Sequence, residues 1–391
     1  MRRDWDAIVI GLGGIGSAAA YWLSTRPGLR ILGLEQFEFD HVNGASKDHS
    51  RIIRLSYHRR DYVRLAKRAY ATWAEVEAAS GVRIVTKTGG IDLYPAGGVT
   101  DEAEYTGSMT AEGVPFERLD AAETMRRWPQ WRLADDTAVV FQPETGIADP
   151  NRANPAHRAL ATANGARLLE RMPVTDLRAA AGEYEVVTAD GAVHRTGRVV
   201  LTADAWTNDL LGHLGRRLPL TITREQVTYF DCPDPAAFSP DRFPVWIWMD
   251  EPSFYGFPTY GEPGPKAAQD VGGETCTPRT RTFSINLAAH ARVYHFMEQH
   301  LPGAVGPDLL TKTCIYTLTP DRDFVVDRLP DHPGVVLALG AGHAFKFASV
   351  LGRILSELAI DGRTPSATEI EAFRVDRPVL LDPRPTAHFR I

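Results

Sequence analysis

The sequence predicts an α/β fold in which a domain built on a parallel sheet is combined with a second, mostly antiparallel α+β domain. Two observations predict it. Near the N-terminus, a short apolar run is followed at once by a glycine-rich turn, a helix-like segment and a second apolar run. Farther along, aromatic-rich segments such as 226–230 and 245–248 have the composition of strands in an antiparallel sheet.

The N-terminal segment has the order of a βαβ unit. Residues 7–10 and 31–34 are short apolar runs typical of fully buried strands, and residues 17–24 between them are typical of a helix. The turn after the first strand contains Gly11, Gly13, Gly14, Ile15 and Gly16. Glycines at this spacing permit a tight turn, a close approach of the backbone to a pyrophosphate, and close packing of helix on strand. The segment therefore predicts a Rossmann-like dinucleotide site.

An acidic residue completes this pattern. Glu35 ends the second strand and is placed to accept hydrogen bonds from the hydroxyls of an adenosine ribose. We count the adjacent Gln36 with it at the cofactor site. A glycine-rich turn in another kind of α/β protein is the alternative, and the pattern by itself does not separate FAD from NAD.

Three further segments distinguish the two cofactors. Residues 43–54 are Asn-Gly-Ala-Ser-Lys-Asp-His-Ser-Arg-Ile-Ile-Arg, and residues 312–317 are Lys-Thr-Cys-Ile-Tyr-Thr. After the strand-like run 335–339, residues 340–347 are Gly-Ala-Gly-His-Ala-Phe-Lys-Phe. In these segments the chain resembles the monomeric sarcosine oxidase and N-methyltryptophan oxidase family, within the D-amino-acid-oxidase-like flavoproteins. The resemblance runs over nearly the whole chain and implies FAD.

The resemblance implies a covalent bond between the 8α-methyl group of the flavin and Cys314. A thiolate is the nucleophile for such a bond, and we expect cations such as Lys312 or Lys346 to favour its formation. A buried structural cysteine is the alternative, and we assign Cys232 and Cys276 to that class. The other cofactor contacts that we expect are Lys47, Ser50, Arg51, Val174, Gly340, Gly342, His343, Phe345 and Lys346.

The resemblance also implies a substrate site. It places Arg51 against the flavin and Arg54 at a substrate carboxylate, which Lys346 would also bind. For the two arginines, solvated charges on a strand edge are the alternative. Tyr255 would lie beside the substrate, and Lys266 would lie over the opposite face of the flavin, where a cation stabilises superoxide. A simple loop lysine is the alternative for Lys266.

Three departures from the family pattern leave the exact substrate open. Asp270 stands where the sarcosine-oxidising members have a histidine, and Lys47 stands where the family often has a histidine near the flavin. Residues 202–206 are Thr-Ala-Asp-Ala-Trp, where relatives usually have Ala-Gly-Ala-Trp. We count Asp270 and Tyr316 among the substrate contacts.

The predicted function is that of an FAD-dependent amine oxidase. It would oxidise the secondary amine of a small amino acid, either an N-methyl amino acid such as sarcosine or a cyclic imino acid, to an imine, and would reduce O2 to hydrogen peroxide. A flavin dehydrogenase with an acceptor other than oxygen and an NAD-dependent oxidoreductase are the alternatives.

Composition excludes several other classes. The formal net charge of −6 argues against nucleic acid or an anionic membrane as the main partner. No apolar stretch reaches the roughly 18 residues of a membrane span. The sparse, odd number of cysteines, three, favours a reducing compartment, and we expect a cytoplasmic protein. The oligomeric state stays open, with a monomer as one option.

The positions of the motifs predict a discontinuous cofactor domain. We assign the FAD-binding domain to residues 1–88, 147–217 and 311–391, and the substrate domain to residues 89–146 and 218–310. Proline and glycine cluster at 251–273, which predicts a loop over a pocket.

Overall fold

The computed structural model describes residues 3–180 and 182–388. The strands, in chain order, are β1 (Ala7–Ile10), β2 (Ile31–Leu34), β3 (Arg51–Ile53), β4 (Val85–Lys87), β5 (Gly90–Tyr94), β6 (Glu117–Leu119), β7 (Ala138–Gln142), β8 (Gly146–Ala148), β9 (Arg167–Leu169), β10 (Val174–Ala180), β11 (Glu183–Thr188), β12 (Val193–Thr196), β13 (Val199–Leu201), β14 (Thr221–Phe230), β15 (Val245–Trp248), β16 (Ser253–Phe257), β17 (Lys266–Asp270), β18 (Glu274–Thr275), β19 (Asp308–Leu318), β20 (Val325–Leu329) and β21 (His332–Leu339). The helices are α1 (Gly14–Ser24), α2 (Arg60–Ser80), α3 (Glu102–Ala111), α4 (Ala121–Arg127), α5 (Pro150–Ala163), α6 (Thr207–His213), α7 (Leu287–His300), α8 (Ala348–Asp361), α9 (Ala367–Ile370) and α10 (Pro378–Leu381).

A mostly parallel sheet of six strands forms the first layer. Its order is β20-β21-β13-β1-β2-β9, and only the edge strand β20 runs antiparallel to its neighbour. The central strands β1, β2 and β13 are buried along their whole length, as strands covered on both faces must be. Helices α1 and α8 pack against each other beside this sheet. The predicted α/β fold and its buried strands at 7–10 and 31–34 are confirmed.

The carboxyl ends of the central strands meet at one edge of this sheet. Gly11, Thr202 and Gly340 follow directly after β1, β13 and β21. Ligands of open parallel sheets bind at this edge, where the loops diverge. Three loops that the sequence singled out are therefore brought together by the strand order.

A large, mostly antiparallel sheet forms the second layer. Its order is β18-β14-β17-β16-β15-β5-β7-β6, and β19 pairs with β14 along nearly its whole length. Strand β19 crosses the predicted domain boundary at residue 311, so Cys314 belongs to the large sheet by its hydrogen bonding. The domain division stays a prediction, and residues 389–391 of its last segment lie outside the described residues.

The segment 251–273 differs from the loop that its composition predicted. Strands β16 and β17 occupy most of it and pair with each other, with Phe257 opposite Lys266. Only residues 258–265 connect them as a loop. The prediction of a single loop is wrong because β16 and β17 also pair with β15 and β14, and three of the five residues in each strand are buried.

Two smaller sheets complete the fold, with the orders β10-β11-β12 and β3-β8-β4. The second of them carries Arg51 at the start of β3 and so holds the predicted arginine pair against the body of the protein. Within the described ranges, no helix is long and apolar enough to cross a membrane.

Candidate active site

The glycine-rich turn between β1 and α1 is too tightly packed for side chains. A Cβ atom on Gly16 would lie 1.8 Å from the carbonyl oxygen of Gly11 and 2.6 Å from the hydroxyl oxygen of Thr202. The backbone N–H of Gly14 donates a hydrogen bond to Ser46 Oγ at 3.0 Å. Because α1 begins at Gly14, its N-terminus faces the loops at the sheet edge, where it would stabilise an anionic group.

The Glu35 carboxylate is fixed by its own neighbourhood. Its two oxygens accept hydrogen bonds from the backbone N–H groups of Leu12 at 2.8 Å and Phe37 at 3.1 Å, and His41 Nε2 lies 3.4 Å away. Burial raises the pKa of Glu35, but the hydrogen bonds from His41 and the backbone outweigh it and place the pKa below its ordinary value. Glu35 is therefore an ionised acceptor.

Two joined cavities run along this edge, with volumes of about 400 and 870 Å³. The residues that border both are Gly13, Ala45, Ser46, Thr202 and Asp204. The predicted cofactor residues at the smaller cavity are Gly11, Gly13, Glu35, Gln36, Lys47 and Val174. Those at the larger cavity are Gly13, Gly14, Ile15, Ser50, Arg51, Gly340, Gly342, His343, Phe345 and Lys346. The shared border means that one elongated ligand could occupy both.

Lys47 lies in the smaller cavity, beside the predicted ribose-binding residue Glu35. The family pattern had associated its position with the flavin, which belongs at the other end of the ligand. Asp204, by contrast, lies where the two cavities meet, and its backbone has the left-handed φ of +45°. Burial raises the pKa of Asp204 to about 6.

The cavities fit a dinucleotide such as FAD. Ser50 Oγ, Arg54 Nε and His343 Nδ1 are buried at the larger cavity, and none of them has a hydrogen-bond partner among the residues that the structure describes. Leaving such a group unsatisfied costs about 1–3 kcal/mol, which a polar ligand would recover. The N-terminus of α1 suits a pyrophosphate, and the ionised Glu35 suits a ribose.

Arg54 is buried in the wall of the larger cavity and is not a solvated charge. Its side chain is 6% exposed and forms an ion pair with Asp92 across 3.5 Å. Ser56 Oγ donates a hydrogen bond to the other oxygen of Asp92 at 2.5 Å. Sequence reasoning missed Asp92, although a lone carboxylate within the apolar strand β5 is the pattern that would have found it.

Lys346 also faces the larger cavity. Trp73 on α2 donates a hydrogen bond to its backbone carbonyl at 2.8 Å and so fixes the loop that carries it. The ammonium lies 5.9 Å from the centre of the Tyr57 ring and has no hydrogen bond or ion pair within the described part of the chain. Burial lowers the pKa of Lys346 to about 7, and the nearby Arg54 cation contributes to the lowering.

Asp270 forms an ion pair with Arg322 instead of standing free in the pocket. Both carboxylate oxygens accept hydrogen bonds from the guanidinium, at 2.7 and 2.9 Å, and the Arg322 side chain is 2% exposed. The Arg322 carbonyl lies 3.0 Å from His343 Nε2. Burial, with the Arg322 and Lys346 cations, holds the pKa of His343 well below its ordinary value, so this ring is neutral. Sequence reasoning did not single out Arg322, since no local pattern links it to Asp270.

Two tyrosines from the large sheet line the same cavity. Tyr255 comes from β16 and Tyr316 from β19. Gly342 has a φ of +80°, and a Cβ atom there would lie 2.5 Å from the Tyr316 ring. Glycine therefore lets the loop after β21 pack directly on this ring. Burial raises the pKa of both tyrosines, so their hydroxyls are neutral.

Behind the cavity wall, the buried carboxylate of Asp48 contacts four side-chain donors. Its Oδ2 atom accepts from Lys266 Nζ at 2.9 Å and from Arg51 Nη1 at 3.1 Å. Its Oδ1 atom accepts from the Tyr229 hydroxyl at 2.7 Å and lies 2.8 Å from Lys312 Nζ. These cations hold the pKa of Asp48 well below its ordinary value although burial alone would raise it. Sequence reasoning missed Asp48, because three of its partners are distant in the chain.

Lys266 is more deeply buried than its predicted role required. Its side chain is 1% exposed, and its ammonium bonds the Ser50 carbonyl at 2.9 Å and lies 4.0 Å from the centre of the Phe257 ring. Ser50 and Phe257 line the larger cavity, whereas Lys266 lies directly behind them. The cation is therefore in the wall and does not face the cavity directly.

The surroundings of Cys314 correct one expectation. Cys314 lies two residues before Tyr316, on the same face of β19 and hence on the cavity side. Burial raises the pKa of its thiol to about 12, and Arg51 is the main cation that opposes this. The expectation that Lys312 or Lys346 would favour the thiolate is wrong, because Lys312 is paired with Asp48 and Lys346 lies near Arg54 instead.

Comparison with known proteins covers almost the whole chain. A family model described as FAD dependent oxidoreductase matches residues 6–358. The chain is 38% identical to the monomeric sarcosine oxidase of Streptomyces avermitilis over 376 residues, which cover 93% of this chain and 96% of the relative. It is 31% identical over 380 residues to the N-methyl-L-tryptophan oxidase of Yersinia pestis, covering 96% and 99% of the two chains.

Solved structures share this fold. NikD, an unusual amino acid oxidase essential for nikkomycin biosynthesis, superposes with a TM-score of 0.84 at 29% identity, covering 95% of this chain and 98% of NikD. The L-proline dehydrogenase from P. horikoshii has a TM-score of 0.83 at 22% identity, covers 96% and 97% of the two chains, and shows the fold alone. With the glycine turn, the paired cavities and these matches together, the chain belongs to the FAD dependent oxidoreductase family.

Proposed function

We propose that this protein oxidises the secondary amine of a small amino acid, giving an imine and hydrogen peroxide. The observation that carries the proposal is the placement of Arg54 and Lys346 in the wall of the cavity that fits the flavin end of FAD. The named activities of the similar proteins, sarcosine oxidase and N-methyl-L-tryptophan oxidase, support it.

The charges around the cavity match a substrate with one carboxylate. Arg54 is balanced by Asp92, and Arg322 is balanced by Asp270, so each pair is close to neutral. Lys346 lies near Arg54 without an ion-pair partner among the described residues, and it supplies one positive charge when protonated. Arg51, elsewhere in the same wall, shares Asp48 with two lysines. The planar fork of Arg54 and the point charge of Lys346 would together bind one carboxylate.

The role of these residues is positioning. When bound, FAD supplies the two-electron acceptor for this chemistry. The amine must react as the free base, since the carbon next to nitrogen loses a hydride equivalent while the nitrogen lone pair forms the C=N bond and a proton is released to water. Water then hydrolyses the imine, and O2 takes up two electrons and two protons to give hydrogen peroxide. Binding the carboxylate fixes the position of the reacting C–H bond. The neutral side chains of Tyr255 and Tyr316 form the wall of the site on the side of the large sheet.

The oxygen reaction is proposed to depend on Lys266. A cation in the wall stabilises the negative charge that O2 acquires with its first electron. We expect Lys266→Met to slow the reaction with oxygen far more than the oxidation of substrate. Equal slowing of the two half-reactions, each measured separately by rapid mixing, would remove Lys266 from this role.

Covalent attachment of FAD to Cys314 and a cytoplasmic location are also part of the proposal. The position of Cys314 on the cavity side of β19 supports the first, and three cysteines without a disulfide support the second. A monomer remains one option for the oligomeric state.

A flavin dehydrogenase is the second candidate. The position of Lys266 behind Ser50 and Phe257, outside the cavity lining, favours it because a more distant cation stabilises superoxide less. Membership of the FAD family sets the NAD-dependent alternative aside.

A screen for peroxide release separates these candidates. N-methylated, cyclic and primary amino acids would be tested, with matched amines that lack the carboxylate as controls. We expect one peroxide per amine oxidised, from amino acids with a secondary amine and not from the matched amines. Amine oxidation without peroxide indicates the dehydrogenase, and reaction of the matched amines at equal rates contradicts the carboxylate site.

A further inference from the structure

We propose that Asp48 is a positioning residue that keeps the Lys266 ammonium charged and fixed behind the flavin-binding wall for the reaction with oxygen. The inference rests on the proposed function, because Asp48 acts on oxygen only through Lys266. It gives a role to a carboxylate that contacts neither cavity and that is 3% exposed.

The surroundings of Lys266 would otherwise favour a neutral amine. The ammonium lies between the aromatic rings of Phe257 and Tyr229, whose centres are 4.0 and 5.6 Å away. The other charged groups that face it are the cations Arg51 and Lys312, which oppose its protonation. Within the described ranges, Asp48 is the carboxylate that forms an ion pair with it. Desolvation and two like charges would therefore remove the proton if this carboxylate were absent.

The single negative charge of Asp48 stabilises the Lys266 ammonium but does not neutralise the whole group of cations in the wall. One carboxylate is shared by Lys266, Arg51 and Lys312, so the group keeps a surplus of positive charge. The neutral hydroxyl of Tyr229 binds Oδ1 at 2.7 Å and limits rotation of the carboxylate. Arg51 lines the larger cavity, so Asp48 forms ion pairs both with the buried Lys266 and with a residue of the surface that the flavin would contact.

The pKa of Lys266 gives the size of the expected effect. Burial lowers this pKa to about 8 although Asp48 raises it. An opposite charge at this distance contributes about 1–3 units, so Asp48→Asn is expected to lower the pKa of Lys266 by about that much. With a change of about two units, the protonated fraction at pH 8 falls from about one half to about 1%, which is a loss of about fiftyfold.

The test compares Asp48→Asn with the parent protein and with Asp327→Asn. Asp327 is a matched control, because it is a partly buried carboxylate that lines neither cavity and accepts a backbone hydrogen bond from Val375 at 3.0 Å. We expect Asp48→Asn to slow the reaction with oxygen at pH 8 by about fivefold or more and to move its pH profile to lower pH, with oxidation of the amine little changed. Asp48→Glu, which keeps the charge, should keep the pH profile of the parent.

A second readout does not involve turnover. Because the pKa of Lys266 lies below its unfolded value, the unfolded chain binds more protons, and Lys266 makes stability rise with pH above about pH 8. In Asp48→Asn this rise should begin at least about one pH unit lower. The rise is measured as the difference in Tm between each protein and the same protein carrying Lys266→Met, across that pH range.

The outcomes separate the two proposals. If Lys266→Met slows the oxygen reaction while Asp48→Asn changes neither its rate nor the Tm profile, Asp48 has no positioning role and the inference is overturned. An equal effect of Asp327→Asn overturns it as well. If Lys266→Met leaves the oxygen reaction unchanged, the proposed role of Lys266 itself fails, whatever Asp48 does to the Tm profile.

Discussion

Binding of a simple carboxylate should weaken as the pH rises through the pKa of Lys346. The partly buried side chain lies near Arg54, and its desolvation lowers its pKa to about 7. A carboxylate bound at Arg54 and Lys346 would favour the charged ammonium and raise its pKa again, by about 1–3 units. The affinity is therefore highest below the pKa that Lys346 has in the free protein, where its ammonium is already charged. Above that pKa the affinity falls, because a proton must be taken up on binding.

The magnitude follows from the protonated fraction. With a pKa of about 7, about one tenth of the Lys346 side chains are charged at pH 8. The dissociation constant of acetate should therefore be about five- to tenfold larger at pH 8 than at pH 6, which corresponds to about 1.0–1.4 kcal/mol. Acetate is the better ligand for this test because an amino acid would add the titration of its own amine.

Isothermal titration calorimetry in two buffers of different ionisation enthalpy measures both the affinity and the protons taken up. We expect an uptake of about 0.4 to 0.9 proton per acetate at pH 8, for a rise of about 1–3 units, and little uptake at pH 6. Lys346→Met should remove this pH dependence, whereas Lys67→Met, on the exposed side of α2, should retain it. Equal acetate affinity at the two pH values, with no proton uptake by the parent protein, would refute the reasoning.

Three further predictions concern the cofactor and the pocket. Gly16→Ala should lower Tm and the amount of bound FAD, because its Cβ atom would lie 1.8 Å from a backbone oxygen. The control is Gly107→Ala in helix α3, whose Cβ atom would meet no atom within 4 Å. Urea unfolding should show this control to be neutral or stabilising by up to about 1 kcal/mol. Cys314→Ala should bind FAD that acid precipitation releases into the supernatant; colour that stays with the precipitated variant would contradict the covalent bond. Arg322→Met should lower the free energy of unfolding by up to about 3 kcal/mol, and solvent screening at the partly exposed Asp270 reduces this cost. Adding Asp270→Asn should recover part of the loss, and a double-mutant cycle measures how much.

The cofactor end of the site could be predicted because its determinants are contiguous. The residues from Gly11 to Gly16 and the strands on either side act within one βαβ unit, where spacing in the chain translates directly into spacing in the structure. Glu35 belongs to the same unit. The pairings of this unit therefore needed no knowledge of the rest of the fold.

The electrostatic partners could not be predicted in the same way. Asp48 and Lys266 are 218 residues apart, and Asp270 and Arg322 are 52 residues apart. An ion pair between such positions depends on which strands become neighbours, and a carboxylate pairs with any cation that the fold brings near it. The sequence accordingly marked Asp270 as unusual but did not show that Arg322 balances it.

By itself, the sequence determined the dinucleotide turn, the buried parallel strands and which segments form the loops that line the cavities. These features follow from local spacing and hydrophobicity. Only the tertiary structure decided the charge state of the site. It places the partly buried Cys314 where desolvation raises the pKa of the thiol, and it partly removes Lys346 from water, which lowers the pKa of the ammonium to about 7. The physical reason is that a pKa depends on desolvation and on charges within a few ångströms, and both arise when distant segments pack together.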